Sequence, residues 1–334
     1  MRIRVVGQAG EPVFTFSTNS PWAKFKDNLI NDQYRLVTKK FGQKIDVLIC
    51  HGYSKEAIYE ANESKVPKNK RILVLWEPPI THPKLHSDDY LSNFGYIYTP
   101  SKEWAKKYYP IYFNWPTGDN KYKFQITEFK TRHNNAVIIQ GNKVNFFRGE
   151  NYSLRRTVLF KSLKLNYPIM LYGSGWGKLP RRQTLKAFVN FLLNNDYGFS
   201  RHAIRYLNTK YPYYKGVSEN KFATLEKYKI SIVIENHNSY VSEKIFDSLN
   251  SRCITIYIGP NLADYGLNKN IAIQSEPNTE SILNTLEKII KLDNKDLVKL
   301  LKTQQYHLRK VMKNWDNEKV LSNLAKNICI KIKK

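Results

Sequence analysis

The 334-residue chain is short of cysteine, of acidic side chains and of long apolar runs, and each shortage removes a class of protein. Its three cysteines, Cys50, Cys253 and Cys329, stand far apart with no paired spacing, so neither a disulfide scaffold nor a zinc finger is expected, and a reducing compartment is the default. No stretch of 18 consecutive apolar residues exists, so nothing in the chain reads as a membrane-spanning helix. The opening "MRIRVVGQAGEPVF" has a brief apolar-basic strand pattern in place of a signal peptide's long apolar core, which points to a cytoplasmic protein. A Gly-x-Ser-x-Gly elbow is missing, and "GSG" at 173–175 does not replace it. The acidic clusters Asp88-Asp89 and Asp293/Asp296 lack Asp-x-Asp spacing at a strand end and read as solvated loops. Metal-independent chemistry with no metal site and no cofactor is therefore expected. No internal repeat and no low-complexity tract is present.

The scarcity of acids leaves 54 Lys and Arg against 28 Asp and Glu, a formal charge of +26. Such a chain is drawn to nucleic acid, to anionic membrane or to a phosphate-bearing substrate. It has no RNP-type aromatic strand, zinc pattern or basic helical arm, so a nucleic-acid partner is not expected. A basic terminal helix at 316–334 sets Lys319, Lys326, Lys331, Lys333 and Lys334 beside Val320, Leu321, Leu324, Ile328 and Ile332. It is a candidate for peripheral contact with an anionic membrane, as opposed to docking on the protein body. The basic, tyrosine-rich stretch at 201–216 is a further candidate for touching acceptor or lipid.

What the chain does have is a recurrence of short β-rich runs. The first half carries "IRVVG" (3–7), "IDVLIC" (45–50), "RILVLW" (71–76) and "YIYT" (96–99). The second carries "NAVIIQG" (135–141), "PIMLYG" (168–173), "ISIVIEN" (230–236) and "CITIYIG" (253–259). Continuous apolar runs suit strands buried on both faces, and their alternation with helical patterns suits βαβ units. The expectation is α/β architecture with two Rossmann-type parallel-sheet domains, at 1–125 and 134–315, facing a cleft. The polar stretch 115–135 serves as linker.

Ligands bind such sheets at the carboxyl ends of the strands. There "ISIVIEN" ends in Glu235-Asn236, either as ligand contacts or as a solvated strand end. Seven residues on, Ser242 is a natural N-cap before "EKIFDSL". Glu243 suits the positive end of a helix, whereas Lys244 does not, costing a few tenths to ~1 kcal/mol. Lysine beside free helix N–H groups makes an anion site, and a nucleotide diphosphate fits it.

The stretch "LEKYKISIVIENHNSYVSEKIFDSLNSRCITIYIGP" (225–260) resembles the donor-binding signature of the α-1,3-fucosyltransferases, glycosyltransferase family 10. The matching pieces are Tyr228-Lys229-Ile230, Ile234-Glu235-Asn236, Tyr240-Val241-Ser242-Glu243-Lys244 and Ile258-Gly259-Pro260. Departures are Ile for Phe, Ser for Thr, and a loop about two residues shorter. "NYSLRRTVLFKSLKLNYPIMLYGSGW" (151–176) resembles the family's basic helix followed by a strand and Tyr-Gly-x-Gly, and "RILVLWEPPITHP" (71–83) resembles its base-bearing strand. The likeness covers about half the chain and leaves out 1–65 and 177–220.

The resemblance implies a GT-B-like fold and an inverting transfer of L-fucose from GDP-fucose to a hydroxyl of a glycan or glycolipid acceptor. It implies Glu77 as catalytic base. The implied donor contacts are Asn236, Tyr240, Glu243 and Lys244, with Arg155 or Arg156 on phosphate; Tyr172 and Gly173 from the second likeness, and Glu235 and Ser242 from the strand end and helix cap, complete the candidate donor site. A related transferase using a different nucleotide sugar is the alternative, and a nucleic-acid-binding protein a more distant one.

Overall fold

In the computed structural model, residues 1–7, 35–37, 44–115, 126–165, 167–176, 181–193, 205–206 and 209–333 are described. Of the 201–216 stretch, residues 201–204 and 207–208 lie outside them. The chain forms two compact units, Met1–Thr117 with Lys313–Lys334, and Gly118–Met312.

The first unit is built on a six-stranded sheet in the order β2-β1-β3-β4-β5-β6. Its strands are β1 (Arg2–Gly7), β2 (Arg35–Val37), β3 (Val47–His51), β4 (Arg71–Val74), β5 (Tyr96–Thr99) and β6 (Ile111–Tyr112). Every pairing is parallel, as the uninterrupted apolar runs require. Helices α1 (Lys55–Glu63) and α2 (Asp88–Leu91) are capped by Ser54 and Ser87 side chains, which accept from the Ala57 and Tyr90 amides.

The second unit holds a five-stranded parallel sheet in the order β11-β10-β9-β7-β8. These are β7 (His133–Ile139), β8 (Met170–Tyr172), β9 (Tyr228–Ile234), β10 (Ile254–Ile258) and β11 (Ile273–Gln274). Around it lie α3 (Ile126–Thr131), α4 (Tyr152–Ser162), α5 (Arg181–Leu193), α6 (Lys221–Leu225), α7 (Glu243–Asn250), α8 (Thr279–Ile290) and α9 (Asn294–Trp315). Part of the expected linker is thus regular structure, in α3 and the start of β7. Central strand β9 is buried at all seven positions. Chain order reverses beside β7, with β8 on one flank and β9 on the other, so the β7/β9 boundary is the point where a doubly wound sheet opens a crevice.

The terminal helix α10 (Asn317–Lys333) is where the sequence expectation needs correction. It belongs to the first unit and is not a separate segment. Leu321, Leu324, Ala325, Ile328 and Ile332 pack against Ile3, Val5, Val47, Ile49, Ile72, Val74 and Tyr98. The apolar face is therefore the cover of the first sheet, and burying each of its leucines and isoleucines contributes ~1.5–3 kcal/mol. Among the described residues no helix is long and apolar enough to cross a membrane.

Ile328 is fully buried in this contact. Replacing it with alanine is expected to destabilise the protein by ~2–5 kcal/mol, measured by chemical denaturation. A loss under ~1 kcal/mol would mean that α10 is not a structural part of the first unit.

Candidate functional site

The site grows from the end of β9. Glu235 follows the strand directly, and its amide donates to the Ile258 carbonyl at 2.8 Å, continuing the ladder with β10. Its side chain is fully buried. A carboxylate there needs partners, and three groups supply them. The Ser242 amide donates to Oε1 at 2.9 Å, and Ser242 Oγ lies 2.9 and 2.8 Å from the two carboxylate oxygens. Lys244 Nζ donates to Oε2 at 3.3 Å and to Ser242 Oγ at 2.9 Å. Ser242 also caps α7, accepting from the Lys244 amide at 3.4 Å. Gly259 leaves room for this arrangement, because a Cβ there would collide with the Tyr257 hydroxyl and stand 2.9 Å from Glu235 Cγ.

The lysine at the positive end of a helix is thus accounted for. Burial opposes its charge, but Glu235 and Glu243 outweigh burial and hold the Lys244 ammonium well above its ordinary range. The Glu243 carboxylate lies 3.9 Å from Nζ.

Beside this anchor is a pocket of about 370 Å³ within the second unit, at the carboxyl ends of β7, β8 and β9. Lys244, Glu243, Asn236, Arg155 and Gly173 all line it. Arg155, on α4, is 3% exposed and donates to the Ile234 carbonyl at 2.7 Å and to Asn236 Oδ1 at 2.8 Å. Its Nε finds no acceptor among the described residues. Burial lowers its affinity for its proton, while Tyr152, Tyr240 and Glu235 work the other way. Asn236 is held in turn, its Nδ2 donating to the Tyr240 hydroxyl at 3.1 Å.

The two arginines are now separable. Arg156 turns away, donating to the Lys143 carbonyl at 2.7 Å, Asn142 Oδ1 at 3.2 Å and the Arg205 carbonyl at 3.3 Å. Burial pushes its pKa down to about 10. It fastens loops, whereas Arg155 faces the pocket.

Other residues also sit differently from expectation. Glu235, Tyr240 and Ser242 are buried behind the pocket and do not line it, so their part is to position Lys244 and Asn236. Tyr172 is turned to Tyr228, with the hydroxyls 3.0 Å apart. Gly173 (φ +138°) is required by packing, since a Cβ would strike the Gln140 carbonyl. Lys221 and Asp247, which line the pocket as an ion pair, escaped sequence reading. Asp247 stands one turn beyond Glu243 on the same face of α7, a spacing that could have found it. Lys221 lies next to the region with no family resemblance. Burial raises the Asp247 pKa against the opposing pull of Lys221. Among the described residues no group of three or more His, Cys, Asp or Glu is placed to hold a metal ion.

Glu77 belongs to the first unit, three residues past the end of β4 at the carboxyl edge of that sheet. His86 Nε2 donates to its carbonyl at 2.9 Å. Next to it, Trp76 stacks on Phe113 with ring centroids 5.4 Å apart and meets Trp115 at 4.4 Å and His51 at 5.7 Å.

No protein-family model matches the sequence, and no curated protein does. Solved structures do match in fold. An α1,3-fucosyltransferase aligns over 100% of this chain and 90% of its own, with TM-score 0.59 and 13% identity. The Anabaena protein HepE, in complex with UDP and glucose, aligns over 99% and 100%, with TM-score 0.60 and 11% identity. An α-glucosyltransferase in complex with UDP aligns over 98% and 100%, with TM-score 0.55 and 10% identity. The chain has the fold of these GT-B glycosyltransferases, two parallel-sheet α/β domains with helices.

Removing the buried acceptor should unfasten α7. Glu235→Ala is expected to cost ~3–5 kcal/mol in denaturant melts, because it strands Lys244 and the Ser242 amide. A change below ~1 kcal/mol would show that the carboxylate is dispensable. In the first unit, burial pushes the His51 imidazole down to about 3 and that of His86 to about 4. The unfolded chain, at about 6.5, binds more protons over this window. The stabilisation is therefore complete above pH 6.5 and is lost as pH falls toward 4 and then 3. Thermal melts should show the transition dropping below pH 6.5; a flat profile from pH 7 to pH 4 contradicts it.

Proposed function

We propose that the protein is an inverting glycosyltransferase that moves L-fucose from GDP-fucose to a hydroxyl of a glycan or glycolipid acceptor. One observation carries this reading. Two held cations, Lys244 at the head of α7 and the buried Arg155, converge on one pocket at the switch point of a parallel sheet. That is where a diphosphate is bound by charge and by helix N–H groups together. The fold likeness and the spaced elements of 225–260 support it further.

The chemistry follows from these groups. A base removes the proton of the acceptor hydroxyl as its oxygen attacks the anomeric carbon from the face opposite the diphosphate. The carbon–oxygen bond to phosphate breaks, and negative charge gathers on the leaving diphosphate. Lys244 and Arg155 take up that charge, so this reading needs no metal. Glu243 and Asn236, at the pocket wall, accept from and donate to hydroxyls of the donor. Glu77 is assigned the base on the resemblance of its strand.

A second reading, a related transferase using another nucleotide sugar, has one observation in its favour: the fold agrees as well with a UDP-bound enzyme as with a fucosyltransferase.

Calorimetry with GDP and UDP separates the two. GDP is expected to bind more tightly than UDP. Lys244→Ala should weaken GDP by ~10-fold to 100-fold, the loss of a charge-assisted contact of ~1.5–3 kcal/mol. Glu243→Ala, a change at a partly exposed side chain, should weaken GDP while leaving the melting transition in place. Equal GDP affinity in wild type and both variants would sink the assignment. Glu77→Gln is expected to keep GDP affinity within about twofold while sugar transfer falls ~10²–10⁴-fold. Transfer near the wild-type rate would place the base elsewhere.

A further inference from the structure

Helix α5 carries two apolar faces, and a helix on the surface of a globular protein needs only one. Its inner face is accounted for: Ala187 is buried, and Phe191 half-buried, against Val144, Phe146 and Phe147 of the loop after β7. The second face is Leu185, Phe188, Val189 and Leu192, spaced i, i+3, i+4, i+7. These four side chains are 66%, 44%, 43% and 64% exposed. Scattered exposed apolar residues are ordinary, but a continuous helical stripe of leucine, valine and phenylalanine marks a contact surface.

Charge decides what covers it. Residues 176–217 contain eight basic residues (Lys178, Arg181, Arg182, Lys186, Arg201, Arg205, Lys210 and Lys215) and one acidic residue, Asp196, a local excess of 8 − 1 = +7. Lys186 is exposed on α5 itself, and Lys143 and Arg148 are exposed on the loop that α5 packs against. A second copy of this chain would bring +26 against +26. An anionic surface with an apolar interior satisfies both the stripe and the charge.

We propose that α5 lies in the interface of an anionic lipid membrane, with Leu185, Phe188, Val189 and Leu192 turned into the acyl boundary. This relocates membrane contact from the terminal helix, whose apolar face is covered by the first sheet, to a helix of the second unit. It also has a functional consequence. The loop that supports α5 through Val144 and Phe146 begins with Gln140, Gly141 and Lys143 in the pocket wall. Docking α5 therefore holds the pocket one loop away from the lipid surface, where a lipid-linked acceptor would be presented.

The test uses the full chain and sedimenting vesicles of phosphatidylcholine, with or without phosphatidylglycerol. Wild type is expected to partition onto the phosphatidylglycerol vesicles only, and less as salt rises. The triple variant Leu185→Ser/Phe188→Ser/Leu192→Ser should partition roughly tenfold less while keeping its melting transition and GDP affinity. Leu192→Trp, a milder change, should give an indole emission that shifts to the blue on adding anionic vesicles. Three outcomes overturn the proposal: no partition of the wild type, unchanged partition of the triple variant, or no blue shift of Leu192→Trp. A dimer in solution that the triple variant dissociates overturns it as well, by making a second copy the occupant.

Discussion

A single buried contact, the carboxylate of Glu235 with Ser242 and the ammonium of Lys244, organises the second unit around its pocket. A fully buried carboxylate costs several kcal/mol unless its lone pairs are filled, and here they are filled by groups from one short stretch of chain. That requirement fixes the end of β9 against the first turn of α7 and sets the path of the six residues between. It fixes the next strand as well, because only glycine at position 259 leaves space for the Tyr257 ring and the Glu235 stem. Lys244 is consequently a held charge. Its ammonium is aimed by two acceptors, and Glu235 and Glu243 favour its charged form against the cost of burial.

Arg155 complements it by a different device. Its guanidinium is fastened by neutral oxygens, the Ile234 carbonyl and Asn236 Oδ1, which orient it without neutralising it. Lys244 is paired with a carboxylate, whereas the hydrogen bonds of Arg155 go to neutral oxygens, so one cation is a directed donor held by an anion and the other a guanidinium held by dipoles. A planar fork and a compact ammonium recognise phosphate differently, and having both fixed before a ligand arrives is what electrostatic preorganisation requires.

Much of this could be read from residue order, for identifiable reasons. Buried parallel strands leave continuous apolar runs, so all eight runs singled out correspond to strands of the two sheets, and Ser242 declares the start of α7. The short strands β2, β6 and β11 are too brief to leave such a signal. The adjacent arginines could not be separated, because one helical step of 100° decides which enters the pocket. The sequence puts Glu235 at the correct edge but does not say which side of the wall it takes: a strand-end carboxylate looks the same whether it faces ligand or a serine seven residues ahead. The terminal helix is ambiguous in sequence because an amphipathic basic helix has one pattern for lipid and for a sheet. Only the packing of Leu321, Leu324 and Ile328 distinguishes them.

The formal charge of +26 suggests a polyanion as partner, but the pocket argues for something smaller. Beside Arg155, Lys143 and Lys221 it carries the carboxylates of Glu243 and Asp247. A nucleic-acid backbone laid along it would bring phosphates against both acids, and each like-charge approach is unfavourable. A nucleotide sugar has the opposite distribution: two phosphates in one place and neutral hydroxyls, amides and ring edges elsewhere. Cations meet the former and carboxylates accept hydrogen bonds from the latter. Alternation of sign within one pocket therefore suits a compact ligand with a single charged centre better than a polyanion.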